Sequence, residues 1–220
     1  VLGRLGSPIT DQIRAVLPQA SDEASELDPA LEAVGQVVNP EKAHEAYNKT
    51  FRKDLADQLA VTVTRPDSPS SVILLGQPGA GRDLVMLAAA HRLFEDRRAE
   101  QIIRISGAAI AAGSIFPAEK DAALLNTLCA ARQRSGVILL IGDIDAALSG
   151  TDVGLSVLCD AIDMGVRFIA TVRSERGMAQ IATDDALARR VVAVSLPEPP
   201  RRVVAKLLED IARNSPCKIT

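Results

Sequence analysis

Cysteine and histidine are scarce in this sequence, which argues against disulfide and zinc sites. Its 220 residues include three cysteines and two histidines. Cys129, Cys159 and Cys217 have no C-x-x-C spacing, and this usage is typical of a reducing compartment, so we expect a cytoplasmic protein. His44 and His91 are too few and too far apart in the sequence for a usual zinc set. We therefore predict no metal site of that kind.

An excess of positive charge and long apolar runs are also lacking. The chain has 25 Lys and Arg residues against 28 Asp and Glu residues, which gives a formal net charge of −3 at pH 7. This balance provides no general basic field for nucleic acid, although a local basic patch stays open. Apolar runs end well before the roughly 18 residues that a membrane span needs. We expect neither a nucleic-acid partner nor a membrane segment.

The patterns that are present indicate an α/β protein with alternating strands and helices. Short apolar runs predict strands at 72–75, 101–105, 137–141, 167–171 and 191–194. Helical patterns cover about 40–63 with a break near Thr50, 82–94, 118–133 and 153–164. This alternation predicts a parallel five-stranded sheet between helices with right-handed crossovers, and a nucleotide would bind at the carboxyl ends of its strands.

Composition shifts divide the chain into three predicted parts. Residues 1–39 carry many turn signals and an acidic stretch, and we expect an N-terminal extension or linker of short helices and loops. Residues 40–196 form the predicted α/β nucleotide-binding subdomain. Residues 197–220 begin with a proline-rich hinge and continue as an amphipathic helix that would open a further helical subdomain. Because the chain begins at Val1 and stops abruptly after Thr220, we expect a fragment of a longer protein.

The clearest motif follows the first predicted strand, where a glycine-rich turn leads into a helical pattern. This is the order of a P-loop, in which backbone N–H groups and a helix N-terminus bind phosphates. The cofactor-binding candidates are Gly76, Gln77, Pro78, Gly79, Ala80, Gly81, Arg82 and Asp83. Relative to G-x-x-x-x-G-K-[ST], Arg82 replaces Lys and Asp83 replaces Ser or Thr. All the glycines are present, whereas both side chains that contact the γ-phosphate and Mg²⁺ are changed.

A second motif ends the strongest predicted strand with Gly142-Asp143-Ile144-Asp145. It occupies the place of a Walker B element, whose Asp holds Mg²⁺ and whose following Glu polarises the attacking water. Aligned without a gap, Gly142 takes the Asp position and Asp143 the Glu position. Shifted by one residue, Asp143 becomes the metal ligand and Ile144 replaces the base, with Asp145 as its substitute. Either alignment damages the site; alternatively, these aspartates only end a strand and cap the next helix.

In this order and spacing, the motifs resemble the first AAA+ module of the Clp family of ATP-driven protein unfoldases. The likeness covers about residues 51–220. Residues 72–81 resemble the family's V-L-I-G-E-P-G-V-G, and 137–145 resemble V-I-L-F-I-D-E-L-H. Residues 168–171 resemble the sensor-1 strand that ends in G-A-T-T, and 216–220 resemble G-V-R-I-T. The resemblance implies the fold of an AAA+ large subdomain followed by the start of the small helical subdomain.

The resemblance also implies roles for individual residues. It brings Thr171 near the γ-phosphate. Residues 185–190 resemble A-A-L-E-R-R-F, so Arg189 and Arg190 would reach the nucleotide of a neighbouring ring subunit; the alternative is a solvated pair after a helix. Phe116 falls near the substrate-gripping pore loop K-Y-R-G without its charge and flanking glycine, and ordinary packing is the alternative.

Taken with the altered motifs, the resemblance predicts a degenerate AAA+ module. The catalytic candidates are Asp143, Asp145, Thr171, Arg189 and Arg190. Loss of Mg²⁺ ligation and of the water-polarising base removes several orders of magnitude in rate. We expect weak ATP or ADP binding, a doubtful Mg²⁺ site and little hydrolysis. The module would serve assembly, regulation or trans arginine-finger action in a homo- or hetero-oligomeric ring.

Two alternatives stay open at this point. An active unfoldase module would need Arg82 to replace Lys, and Asp143 or Asp145 to do the work of both carboxylates. A structural or adaptor domain would dock on partners without binding nucleotide. A protein substrate or adaptor is the expected further partner in the ring.

Overall fold

The computed structural model describes residues 29–66, 70–112, 114–148 and 153–214. Its strands are β1 (Gly35–Val37), β2 (Ser71–Gly76), β3 (Gln101–Ser106), β4 (Val137–Gly142), β5 (Arg167–Val172) and β6 (Val191–Leu196). Its longer helices are α2 (Pro40–Lys49), α3 (Lys53–Val63), α4 (Arg82–Glu95), α6 (Pro117–Arg132), α8 (Val153–Asp163), α9 (Glu175–Thr183) and α11 (Arg201–Asn214). The short helices are α1 (Pro29–Glu32), α5 (Gly107–Ala111), α7 (Asp145–Leu148) and α10 (Asp185–Ala188).

The described strands form one sheet in the order β1-β3-β4-β5-β2-β6. The strands β2 to β6 are parallel, and β1 pairs antiparallel with β3. From β2 the chain crosses to β3, returns through β4 and β5, and then passes β2 to form β6. Strand order therefore reverses beside β2, and ligands of open α/β sheets bind at such a point.

The five predicted parallel strands are confirmed, but the sheet has a sixth strand that the sequence did not reveal. It is β1, from a segment predicted to contain only short helices and loops. Residues 1–28 of that segment, and the resemblance at 216–220, lie outside the described residues.

Both faces of β2, which lies between β5 and β6, are covered by helices. Val72 and Leu74 belong to the apolar cluster that includes α3 and α4, whereas Ile73 belongs to the cluster that includes α6 and α8. All three side chains are completely buried. Successive side chains of a strand point to opposite faces, so a strand covered on both sides has the uninterrupted apolar sequence seen here.

The break predicted near Thr50 separates α2 from α3. Asn39 caps α2, because its side-chain oxygen accepts a hydrogen bond from the Glu41 N–H at 2.7 Å, and Pro40 occupies the first turn. None of the helices in the described ranges has both the length and the hydropathy that a membrane span requires.

The start of α5 packs against the turn after β4, and this contact generates a prediction. A Cβ built on Gly107 would overlap the carbonyl oxygen of Asp143, which is backbone and cannot rotate away. Gly107→Ala should therefore lower the free energy of unfolding by about 1–3 kcal/mol, measured by urea denaturation. Gly142→Ala is the matched control, since its Cβ would meet only the Ile105 carbonyl oxygen at 3.7 Å. Equal losses in both variants would contradict the argument.

Candidate functional site

The loop between β2 and α4 has the backbone of a phosphate-binding turn. Gly79 and Gly81 have φ angles of +88° and +84°, which residues with a side chain rarely adopt. A Cβ on either residue would meet no atom within 4 Å, so conformation rather than crowding requires glycine here. Gly81 is the N-cap of α4 and has no side chain with which to cap it. The first N–H groups of the helix can therefore bind an anion.

The remaining loop residues shape this turn. Gly76 ends β2, where a Cβ would come within 3.0 Å of the Leu196 carbonyl oxygen. Gln77 and Pro78 are exposed at the tip, and the buried Ala80 donates its N–H to the Gln77 carbonyl at 3.1 Å. The glycine-rich turn thus lies at the carboxyl end of β2, as its sequence predicted.

Arg82 extends into the protein from the first turn of α4. Its side chain is only 10% exposed, and Nη1 donates a hydrogen bond to the carbonyl oxygen of Val172 at the end of β5. Its Nη2 lies 3.9 Å from Asp143 Oδ1, which is an ion-pair distance and too long for a hydrogen bond. The guanidinium therefore connects the start of α4 to the ends of β5 and β4.

Asp143 forms the turn after β4 in a conformation that is unusual for a residue with a side chain, with φ of +49°. Its N–H donates to Thr171 Oγ1 at 2.9 Å, and the Ile144 N–H donates to the Thr171 carbonyl at 2.9 Å. Its carboxylate, 35% exposed, lies between Arg82 and Arg173, whose Nη1 is 3.7 Å from Oδ2. Two arginines therefore compensate the charge of Asp143, and the buried Thr171 hydroxyl supports its turn.

Asp145 connects the start of α7 to the segment after β5. Its Oδ1 accepts a hydrogen bond from the Arg173 N–H at 3.2 Å, and its Oδ2 accepts one from the Ser174 N–H at 3.0 Å. Burial on its own raises the pKa of this carboxyl, but the hydrogen bonds from the Ser174 side chain and from the Ser174 and Arg173 backbone together outweigh it. The pKa of Asp145 therefore lies below its usual value, and both carboxylate oxygens are occupied by backbone hydrogen bonds.

Asp83 lies on the exposed side of α4, with 63% of its side chain accessible. Its Oδ2 is 3.8 Å from Nη2 of Arg104 on β3. These two residues and Asp143 line a polar cavity of about 410 Å³ at the carboxyl ends of β3 and β4. Residues 32–36, which include the start of β1, form another wall of the cavity. The unpredicted edge strand is therefore part of the candidate site.

The arginine pair lies away from this cluster. It immediately precedes β6, whose first residue pairs with Ser71 at the start of β2, so it lies at the amino edge of the sheet. Arg190 Nε and Nη2 donate to the two carboxylate oxygens of Asp163 at 2.8 and 2.6 Å, and Nη1 donates to the Ala186 carbonyl at 2.8 Å. The pairing lowers the pKa of Asp163 and raises that of Arg190. Arg189 is exposed, and within the described ranges it has no ion pair.

The segment before α6 presents two apolar side chains to solvent. Ile115 and Phe116 are 83% and 64% exposed. Their N–H groups donate to Glu119 Oε2 at 2.8 and 3.2 Å, so this carboxylate fixes the start of the helix. Phe116 is therefore not a core residue in this fold, which removes ordinary packing as its explanation.

The two histidines meet in space although 47 residues separate them. His44 Nδ1 and His91 Nε2 lie 3.4 Å apart where α2 packs on α4, so the expectation that they are far apart holds only along the sequence. Across the part of the chain that the structure describes, no group of three or more His, Cys, Asp or Glu side chains could hold a metal ion.

Sequence reasoning missed the partners of the candidate residues. These are Arg104 beside Asp83, Arg173 beside Asp143 and Asp163 beside Arg190. Arg173 had a detectable signal, because it directly follows a predicted strand on the edge that carries the P-loop. The other two lie in sequence patterns that are typical of any surface strand or helix end.

Comparisons with known proteins find sequence similarity to a chaperone and a shared fold. No protein-family model matches the sequence. The chain is 25% identical over 193 residues to the chaperone protein ClpB 2 of Parasynechococcus marenigrum (strain WH8102), covering 83% of this chain and 21% of that protein. It thus spans about a fifth of this curated relative.

Solved structures of Hsp104 share the fold. The closed state of Hsp104 with ATPγS and FITC casein matches with a TM-score of 0.65 at 18% identity, over 84% of this chain and 33% of that chain. The S. cerevisiae Hsp104–ADP complex matches with a TM-score of 0.68 at 17% identity, over 83% and 33%. The predicted α/β fold is therefore confirmed, and Hsp104 shares it.

The hydrogen bonds of Asp145 predict how stability depends on pH. Because the folded-state pKa lies below the unfolded value of about 3.9, the contribution of Asp145 is complete above about pH 5 and is lost as pH falls through the folded pKa. Asp145→Asn should lower the free energy of unfolding by about 1–3 kcal/mol at pH 7, and its difference from the wild type should shrink towards pH 3.

Urea denaturation at pH 7, 5, 4 and 3 measures this difference. Glu198→Gln is the control, since Glu198 is exposed in the segment after β6 and makes no such hydrogen bonds with the described residues. A difference between Asp145→Asn and the wild type that stays constant across this pH range would contradict the prediction.

Proposed function

We propose that this Clp-family AAA+ module is impaired in ATP hydrolysis and serves assembly or regulation in a cytoplasmic ring of like or related subunits. The observation that carries the proposal is the position of Arg82. The residue in the place of the catalytic lysine contacts the Val172 carbonyl and Asp143 inside the protein. The guanidinium of Arg82 is thus already engaged by protein groups rather than free to contact a phosphate.

The residues present do not fit a Mg²⁺ site. Gly142 has no side chain, and the carboxylate of Asp143 lies within 4 Å of two guanidinium groups that would repel a cation. Asp83 lies beside Arg104, and both oxygens of Asp145 accept backbone hydrogen bonds. None of the aspartates in or beside the two motifs is left to hold a metal or to activate water, and the active alternative loses support for this reason.

The loop backbone does fit a phosphate group. Gly79 and Gly81 keep the left-handed conformations on which such a turn depends, and α4 begins directly after them. We therefore propose weak binding of ATP or ADP that needs no Mg²⁺. The Hsp104 structures with ATPγS and ADP support a nucleotide as the ligand in this fold. Asp83 would weaken the binding, because its charge is next to the loop.

A protein substrate or adaptor is the proposed further partner. Ile115 and Phe116 are the two most exposed large apolar side chains among the described residues, and Glu119 holds their backbone in place. The casein in the Hsp104 structure supports a protein as the partner class. This contact would operate without hydrolysis in the module itself.

Restoring the altered residues tests the hydrolysis proposal. The wild type should release phosphate from ATP at background rates. Arg82→Lys with Asp83→Thr should tighten ADP and ATP binding by about tenfold, or about 1.4 kcal/mol, and turnover should stay low until Gly142→Asp and Asp143→Glu are added. Calorimetry with and without Mg²⁺ and a phosphate-release assay measure these steps.

Arg202→Lys is the control, because Arg202 is exposed on α11 and the exchange keeps the charge. Mg²⁺-dependent turnover in the wild type that Asp143→Ala abolishes would overturn the proposal and favour the active module.

The arginine pair allows a second test, because the structure gives its two members different surroundings. Arg189→Ala should leave thermal stability unchanged and reduce the ATPase activity of an active neighbouring module or subunit at least about tenfold, since a trans arginine finger contributes more than this. Arg190→Ala should lower the melting temperature, because it breaks the bidentate pair with Asp163.

The matched control is Asp163→Asn, which breaks the same pair and keeps both arginines. It should lower the melting temperature as Arg190→Ala does. Unchanged activity of the neighbour with Arg189→Ala would remove the finger role and favour the adaptor alternative.

A further inference from the structure

Four arginines line one cavity at the amino edge of the sheet. The cavity holds about 390 Å³ and is formed where β4 and β5 begin and where α6 and α8 end. Its arginines are Arg98, Arg132, Arg134 and Arg167. A strand of six residues separates this edge from the P-loop, or about 20 Å. We propose that the cavity binds a small oxyanion of the phosphate class, separately from the P-loop.

Two of the arginines make an ion pair or hydrogen bonds to residues outside the cavity lining. Arg98 Nε lies 3.2 Å from Asp96 Oδ2, and its Nη1 donates to Thr64 Oγ1 at 3.1 Å. Arg134 Nη1 donates to Gln101 Oε1 at 3.2 Å. These contacts hold the two side chains at the rim of the cavity.

Arg132 and Arg167 have no carboxylate partner among the described residues. Arg132 Nη1 donates to Met164 Sδ at 3.4 Å, and a thioether is a weak, neutral acceptor. Arg167 is half-buried at the start of β5, and no hydrogen bond or ion pair engages its side chain within the described ranges. The residues that line the cavity include no aspartate or glutamate. The lining residues therefore leave the charges of Arg132 and Arg167 without an acidic partner.

The surrounding negative charge does not balance this cluster. The carboxyl ends of α6 and α8 each contribute about half a negative charge. Asp96 pairs with Arg98, and Glu100 packs on Gly136 at the rim, while Asp163 is already neutralised by Arg190. The four arginine charges are therefore offset by about three negative charges, which come from Asp96, Glu100 and the two helix ends. The remaining charge of about +1 is suited to one small anion.

The shape and chemistry of the cavity favour a phosphate group over nucleic acid. Its volume lies in the range of small-molecule sites. The planar guanidinium fork matches the oxygens of phosphate and can bind two of them at once. The lining residues include no aromatic ring on which a base could stack. At Gly165, φ is +91° and a built Cβ would meet no atom within 4 Å, so the backbone leaves this side of the cavity open.

Pyrophosphate and inorganic phosphate are the probes, with citrate as a carboxylate comparison, all at one ionic strength set with NaCl. Backbone amide NMR signals of Gly136 and Gly165 report on the cavity, and those of Gly79 and Gly81 report on the P-loop. Pyrophosphate or phosphate should shift the Gly136 and Gly165 signals, with citrate weaker. This readout separates the cavity from the proposed nucleotide site without any mutation.

Substitution gives the second measurement. Arg132→Gln with Arg167→Gln should weaken pyrophosphate binding at the cavity at least about tenfold, because each removes a charge-assisted contact. Arg202→Gln, which removes an exposed arginine outside the cavity, should have no effect. Shifts confined to Gly79 and Gly81, or equal cavity affinity in the wild type and the double variant, would overturn the proposal and leave the arginines as partners of the helix ends only.

Discussion

Burial of β2 on both faces is the constraint on which the position of the candidate site depends. A shift of one residue in the pairing of β2 would move the glycine-rich loop relative to the ends of β5 and β6, so the position of the site depends on the register. In that register Leu75 pairs with Val172, and Gly76 pairs with Leu196. The strand therefore ends level with β5, and the first turn of α4 begins where Arg82 can reach the Val172 carbonyl.

The charged side chains at this edge compensate one another. Arg82 and Arg173 lie on either side of Asp143, and Asp83 lies beside Arg104. Replacing Arg82 or Asp143 alone would leave a partly buried charge without its partner, which is costly. The changes in the two motifs are therefore coupled: an arginine in the lysine position suits an aspartate after β4, without a metal between them. The fold can hold this edge together with protein groups alone.

Sequence patterns predicted the parts of the molecule that depend on continuous burial. Strand 137–141 is covered on both faces and is apolar throughout, whereas β1 is only three residues long and largely exposed, so no periodicity marked it. Glycine spacing predicted the P-loop, because its φ angles depend on local sequence. The directions of Arg82 and Arg190 were not predictable, since their partners Val172 and Asp163 come from distant elements.

Cationic side chains find different acceptors at the two edges of the sheet. In a parallel α/β fold, helix amino ends gather at the P-loop edge and carboxyl ends gather at the opposite edge. An arginine at the P-loop edge must find its acceptors among strand ends, as Arg82 does. Arginines at the other edge are attracted by the helix ends themselves, but each end supplies only a partial charge. Four arginines in one cavity exceed that supply, and in a chain of net charge −3 such a local excess is not a consequence of composition.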